Sequence, residues 1–161
     1  MKFIERVMQY ISYLTAATLI VLVLLIVYDA TARYLFSSGS TALQELEWHL
    51  FDVVILLSIA YTLRENAHVR VDIFYDKFSR KWQIVINILS LLFFVLPLSF
   101  LIIYIGIGFV ELSFVQNEAS SDPGGLTHRW LVKSLMPLAF LFLSFASLRE
   151  LVKNFQEYKS L

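Results

Sequence analysis

Four ionisable residues lie within eight positions at the head of an apolar run. They are Glu45, Glu47, His49 and Asp52 in LQELEWHLFDVVILLSIAY, residues 43–61. On a helix, Glu45, His49 and Asp52 recur at i, i+4 and i+7 and share one face, with Trp48 beside it and Glu47 on roughly the opposite side. Three chemistries suit that spacing. The first is a water-facing helix start, where acids favour the helix N-terminus and Trp48 anchors the interface. The second is a polar seam that pairs with Arg33, Arg129 or another subunit. The third is a metal site, since Glu and His one turn apart can ligate, although a bundle site normally draws such pairs from several helices. Asp29 stands four residues before Arg33, the spacing of a local ion pair. An acid inside an apolar span is a functional candidate by default.

The elements that must position these groups are membrane helices. The 161 residues are 58% hydrophobic with a mean hydropathy of +0.70, whereas a soluble domain is about 45–50% apolar. Net charge is zero and cysteine is absent. A pull on nucleic acid, a disulfide and a thiolate metal site are therefore excluded. No nucleophile–base pair, zinc motif or phosphate loop appears. The expected architecture is all-α: one membrane domain over 1–161 with spans at about 9–34, 43–64, 83–112 and 127–149, each near the roughly 20 residues a crossing needs. Pro97 and Pro137 are tolerable inside such spans. Lys2 and Arg6 before the first run and Ala30-Thr31-Ala32 after it imitate a cleaved leader. The run exceeds the apolar core of about 7–15 residues that a leader carries, so an uncleaved span is expected.

Orientation follows from lysine and arginine. Ten lie in the N-terminal tail (Lys2, Arg6), the middle loop (Arg64, Arg70, Lys77, Arg80, Lys81) and the C-terminal tail (Arg149, Lys153, Lys159), against three elsewhere (Arg33, Arg129, Lys133). Both termini and the middle loop are then cytoplasmic, and residues 34–44 and 111–127 face outward. In the middle segment RENAHVRVDIFYDKFSRKW, Phe74, Phe78 and Trp82 recur every four positions. That pattern predicts a short amphipathic helix over 71–82 lying in the cytoplasmic interface, with Lys77, Arg80 and Lys81 toward lipid head groups. His68 is a pH sensor, a ligand or an ordinary loop histidine. Outside, Asp122-Pro123-Gly124-Gly125 is a strong turn signal, Thr127 is a candidate cap for the last span, and Trp130 marks the interface.

Taken together, ARYLF (32–36), LQELEWHLF (43–51), AYTLRENAHVRVDIFY (60–75) and DPGGLTHRWLVKSLMP (122–137) resemble, in that order, the small DctQ-like membrane subunit of tripartite ATP-independent periplasmic (TRAP) transporters. The second and fourth pieces are similar to the branch labelled for mannitol or chloroaromatic compounds. The resemblance implies a non-catalytic scaffold subunit in the bacterial inner membrane. Its implied partners are a large DctM-like elevator subunit, a periplasmic DctP-like substrate-binding protein and membrane lipids, with no nucleic acid. It implies sodium-driven uptake of a small organic solute, expected to be an organic acid. No cofactor is expected in this subunit, and sodium coupling is expected in the large one. Arg33, Glu45, Glu47, Trp48, His49, Asp52, Gly124, Gly125, Arg129, Trp130 and Lys133 become candidates for the partner interface. Arg64, His68, Arg70, Asp72, Phe74, Phe78 and Trp82 become candidates for the cytoplasmic interface. Two rival functions remain. A self-contained homo-oligomeric channel would purify without a larger partner. An electron-transfer anchor would show a haem band, with His49, His68 and His128 as its only possible axial histidines.

Overall fold

The computed structural model describes residues 2–64, 75 and 77–160. Among these the chain is helical throughout, with turns and loops and no strand. In chain order the helices are α1 (Lys2–Phe36), α2 (Thr41–Arg64), α3 (Arg80–Ser90), α4 (Leu96–Val115) and α5 (Trp130–Ser160). A single π-helical turn, Leu91–Val95, joins α3 to α4 into one continuous rod. Pro97 accounts for that turn: it has no N–H, and its ring opposes the carbonyl one turn back. The Leu96 amide reaches back to the Leu91 carbonyl, and the Ser99 hydroxyl donates to the Val95 carbonyl at 2.6 Å. The buried Ser99 hydroxyl is thus satisfied within its own helix by an i−4 back-bond.

Among the described residues, three stretches are long and apolar enough to cross a membrane: Gln9–Phe36, Arg80–Val115 and Trp130–Ser160. The 24-residue α2 carries Glu45, Glu47, His49 and Asp52 in its first half and lies between α1 and α5, antiparallel to the first and parallel to the second. Packing runs as a row. α1 lies against α2, α2 against α5, and α5 against the α3–α4 rod. The middle helices α2 and α5 are flanked on both sides, while α1 and the rod form the ends. Ile11, Leu57 and Ala146 meet where α1, α2 and α5 converge, at the end that carries both termini. Small residues make the closest approach possible: Ala139, Ser144, Ala146 and Ser147 are buried along α5. A Cβ on Gly106 of α4 would stand 3.2 Å from Pro137 Cδ. Small side chains at helix contacts are how membrane helices gain packing without a hydrophobic driving force.

The row buries little. Tyr34 at the end of α1 is 87% exposed and Tyr104 of α4 is 81% exposed, and aliphatic and aromatic side chains stand open along α1, α4 and α5. At the termini end, Arg80 pairs with Glu157 at 2.5 Å, and the Lys81 ammonium lies over the Tyr158 ring. The start of α3 is thereby tied to the end of α5. Of the expected 71–82 helix, residues 71–74 and 76 lie outside the described residues; the described part turns at Lys77 and Phe78, and Arg80 opens α3, so Trp82 sits in the first turn of the long rod. Trp82 therefore belongs to the rod that begins at Arg80. His68, Arg70, Asp72 and Phe74 lie outside the described residues.

Candidate functional site

At the other end of the row, α4 stops in a capped turn. Asn117 takes a left-handed backbone (φ 47°), its amide bonds the Phe114 carbonyl at 3.1 Å, and the Glu118 amide bonds the Ser113 carbonyl at 3.0 Å. This paired closure is the Schellman arrangement, and asparagine tolerates it better than most residues. The chain then folds into a tight loop over 116–129. The Ser120 amide bonds the Leu126 carbonyl at 2.9 Å, the Gly125 amide bonds the Asp122 carbonyl at 3.0 Å, and the Arg129 amide bonds the Glu118 carbonyl at 3.1 Å. Gly124 has φ 79° inside the turn, a conformation that costs glycine little. The turn expected at Asp122–Gly125 is present. Thr127 does not cap α5. Its hydroxyl meets His128 Nδ1 at 2.8 Å, His128 itself is left-handed, and the helix starts at Trp130 rather than 127.

Glu45 holds this loop to α2. It is buried, its Oε1 accepts from the Ser120 hydroxyl, its Oε2 accepts the Leu126 amide at 2.6 Å, and Arg129 Nη2 stands 3.5 Å from Oε1. Both carboxylate oxygens are therefore engaged by one loop, and a charge-assisted bond to a backbone amide is stronger than a neutral one. Gly125 makes room: a Cβ there would lie 2.5 Å from Ser120 Cβ and 2.9 Å from Glu45 Oε2. Beside this latch, Lys133 of α5 pairs with Glu118 and sits 4.0 Å from the Phe109 ring centre. The Lys133 ammonium holds the Glu118 carboxyl below the usual glutamate range, and the Arg129 charge adds to the effect. Trp130 packs edge-on against Phe114 with ring centres 5.3 Å apart.

The expected polar seam therefore splits. Of Glu45, His49 and Asp52, only Glu45 enters the latch, and its cation is Arg129. His49 and Asp52 are half-buried further along α2 and make no hydrogen bond to the loop. Trp48 is 67% exposed, edge-on to Phe51, and takes no part. Glu47 faces the other neighbour, α1, within electrostatic reach of Asp29 and Arg33. Asp29 and Arg33 form the expected i, i+4 ion pair at 2.6 Å, with Asp29 wholly buried. No group of three or more His, Asp or Glu is placed to hold a metal among the described residues. Ser120 and Glu118 are the participants that sequence reasoning missed. Only the turn signal between them and Lys133 hinted that the two sides of the loop meet.

A family model for the DctQ component of tripartite ATP-independent periplasmic transporters matches residues 22–157. The chain belongs to the DctQ family. A Haemophilus influenzae protein designated a TRAP transporter small permease is 20% identical over 156 residues, covering 97% of this chain and 90% of that protein. Residues 22–157 include the latch, the α1–α2 acids and the C-terminal part of α1. Membership makes the chain one component of a tripartite transporter, and with three apolar helices it points to the inner membrane. The Glu45 latch is thus a feature of a transport subunit.

Proposed function

We propose that this chain is the non-catalytic small permease subunit of a TRAP-type secondary transporter. In this reading α2 also crosses the membrane, giving four spans with both termini cytoplasmic. The row of helices extends the fixed scaffold of a large DctM-like elevator subunit, and the outer loop helps to dock a periplasmic DctP-like protein. Uptake of a small organic acid is driven by sodium bound in the large subunit.

The observation that carries the reading is the Glu45 latch on an open row. A loop of 116–129 stitched by three backbone bonds and clamped to α2 keeps one shape. A rigid surface lowers the ordering cost of docking. The helices beneath it leave apolar faces bare, which suits burial against lipid and a second membrane protein. The seam residues Arg33, Glu45, Glu47, Gly124, Gly125, Arg129, Trp130 and Lys133 then divide in two. Some shape the docking loop from within, and others meet the large subunit.

Two measurements test this. Ser121→Cys should react with an impermeant thiol reagent added from the periplasmic side and Ser79→Cys should not, in a chain with no other cysteine. Purification through a tag on this chain should bring down a much larger membrane protein, and a vesicle containing both should take up solute only when the soluble binding protein is added. Inverted labelling would refute the topology. Uptake by this chain alone would refute the scaffold role and favour a self-contained channel.

A further inference from the structure

The pocket between α1 and α2 is incomplete in the chain by itself. Asp29 Oδ2 is met by Arg33 Nη2 at 2.6 Å, with the Asp29 side chain 1% exposed and the Arg33 side chain 43% exposed. Neither Asp29 oxygen makes a hydrogen bond among the described residues, Oδ2 meeting Arg33 as a charge pair alone, and the buried Glu47 Oε1 makes none either. Arg33 pairs with Asp29 and stands within electrostatic reach of Glu47, so two carboxyl groups face a single guanidinium. A buried carboxylate oxygen without a donor loses its hydration and gains nothing in return. The same helix shows what a completed site looks like: two residues earlier, Glu45 has both oxygens engaged.

We propose that this pocket receives a basic side chain from the larger membrane subunit. The inference rests on the scaffold reading above and names one contact within it. A lysine or arginine brings three or five N–H donors on a positive group, enough to supply Asp29 Oδ1 and Glu47 Oε1. An inorganic cation fits less well. Only two carboxylates are present, no third His, Asp or Glu ligand joins them among the described residues, and Arg33 already occupies one face of Asp29. The orphan oxygens are closed off in the lone chain, so entry requires the half-exposed Arg33 side chain to move aside, at the end of the row where α1 has no second neighbour. Entry of a charged group at this rim is feasible because a membrane-embedded cation is stable when it is paired.

The test compares the chain alone with the chain co-expressed with the transporter's large subunit. Glu47→Gln keeps the side-chain volume and removes the second carboxyl group. In the chain alone, purified in detergent, the melting temperature should hold or rise. In the pair, the affinity for the large subunit should fall about tenfold or more, the scale expected when one partner of a buried ion pair is removed. Glu47→Lys should abolish co-purification, and a Lys or Arg to Glu change in the large subunit that restores it would identify the partner group. Three results would overturn the proposal. An equal loss of stability in the lone chain makes Glu47 an internal structural residue. A Glu47-dependent rise in the melting temperature of the lone chain with sodium or potassium makes an inorganic cation the occupant. Unchanged co-purification of Glu47→Gln removes the contact and leaves the scaffold reading standing. If the wild-type chain brings down no large subunit, the scaffold reading fails and this inference fails with it.

Discussion

Glu45 and Glu47 stand two residues apart on α2 and meet opposite fates. Glu45 faces α5 and the outer loop, where Ser120, the Leu126 amide and Arg129 engage both its oxygens. Glu47 faces α1, where Asp29 competes for the single Arg33 and oxygens remain without donors. An acid satisfied within its own chain is a structural clamp. A buried acid left short of donors points to something outside the chain. The difference arises from the helical turn between the two positions, which sends i and i+2 to different neighbours.

The largest effect should come from removing the one cation in the poorer pocket. Arg33→Ala would leave Asp29 buried without its ion pair, and stability in detergent should fall by about 3 kcal/mol. That is the lower end of the cost of breaking a buried pair, because the guanidinium is itself partly exposed. Chemical unfolding of the chain alone measures it. A loss below 1 kcal/mol would mean that water reaches Asp29 and that the two regions do not differ as described.

Next comes the clamp. Gly125→Ala forces a Cβ against Ser120 and the Glu45 carboxylate, an overpacking cost of about 1–3 kcal/mol. The outer loop should lose hydrogen-exchange protection at Leu126 first, and uptake should fall with unchanged co-purification of the large subunit. If protection at Leu126 survives, the latch is not what holds the loop.

The comparison is sharpest in a pair of isosteric changes. Glu45→Gln should lower the melting temperature of the lone chain, because Arg129 loses its counter-charge and one acceptor becomes a donor. Glu47→Gln should not lower it. Shifts of the same sign in both variants would erase the distinction.

The smallest effect is a pH dependence at the rim of the clamp. Lys133 holds the Glu118 carboxyl below its ordinary value. A group whose folded pKa is depressed stabilises above its unfolded pKa and loses that contribution as pH falls through the folded one. Loop protection should therefore be flat from neutral pH down to about 4.3, the ordinary glutamate value, and decline below it. Glu118→Gln should flatten the acid limb, as followed by exchange at the Arg129 amide.

The sequence by itself determined the helical class, the long apolar stretches, the turn at Asp122–Gly125 and the local pair Asp29–Arg33. Each depends on residues within a few positions of one another, so periodicity and spacing carry the information. The i, i+4, i+7 pattern placed Glu45, His49 and Asp52 on one face and Glu47 on another, and the α-helix obeys that geometry. Tertiary structure alone decided which neighbour each face meets. That Glu45 would be met by Ser120 and Leu126, about 80 residues away, depends on α5 lying beside α2 and on a glycine leaving space for the approach. The missed start of α5 and the unmet cap at Thr127 have the same cause, for the loop's long-range bonds outcompete a local capping preference. Only the packing of α2 on α1 brought Glu47 within electrostatic reach of the Asp29–Arg33 pair. Charge balance at such a site is a property of packing, and no window of sequence contains it.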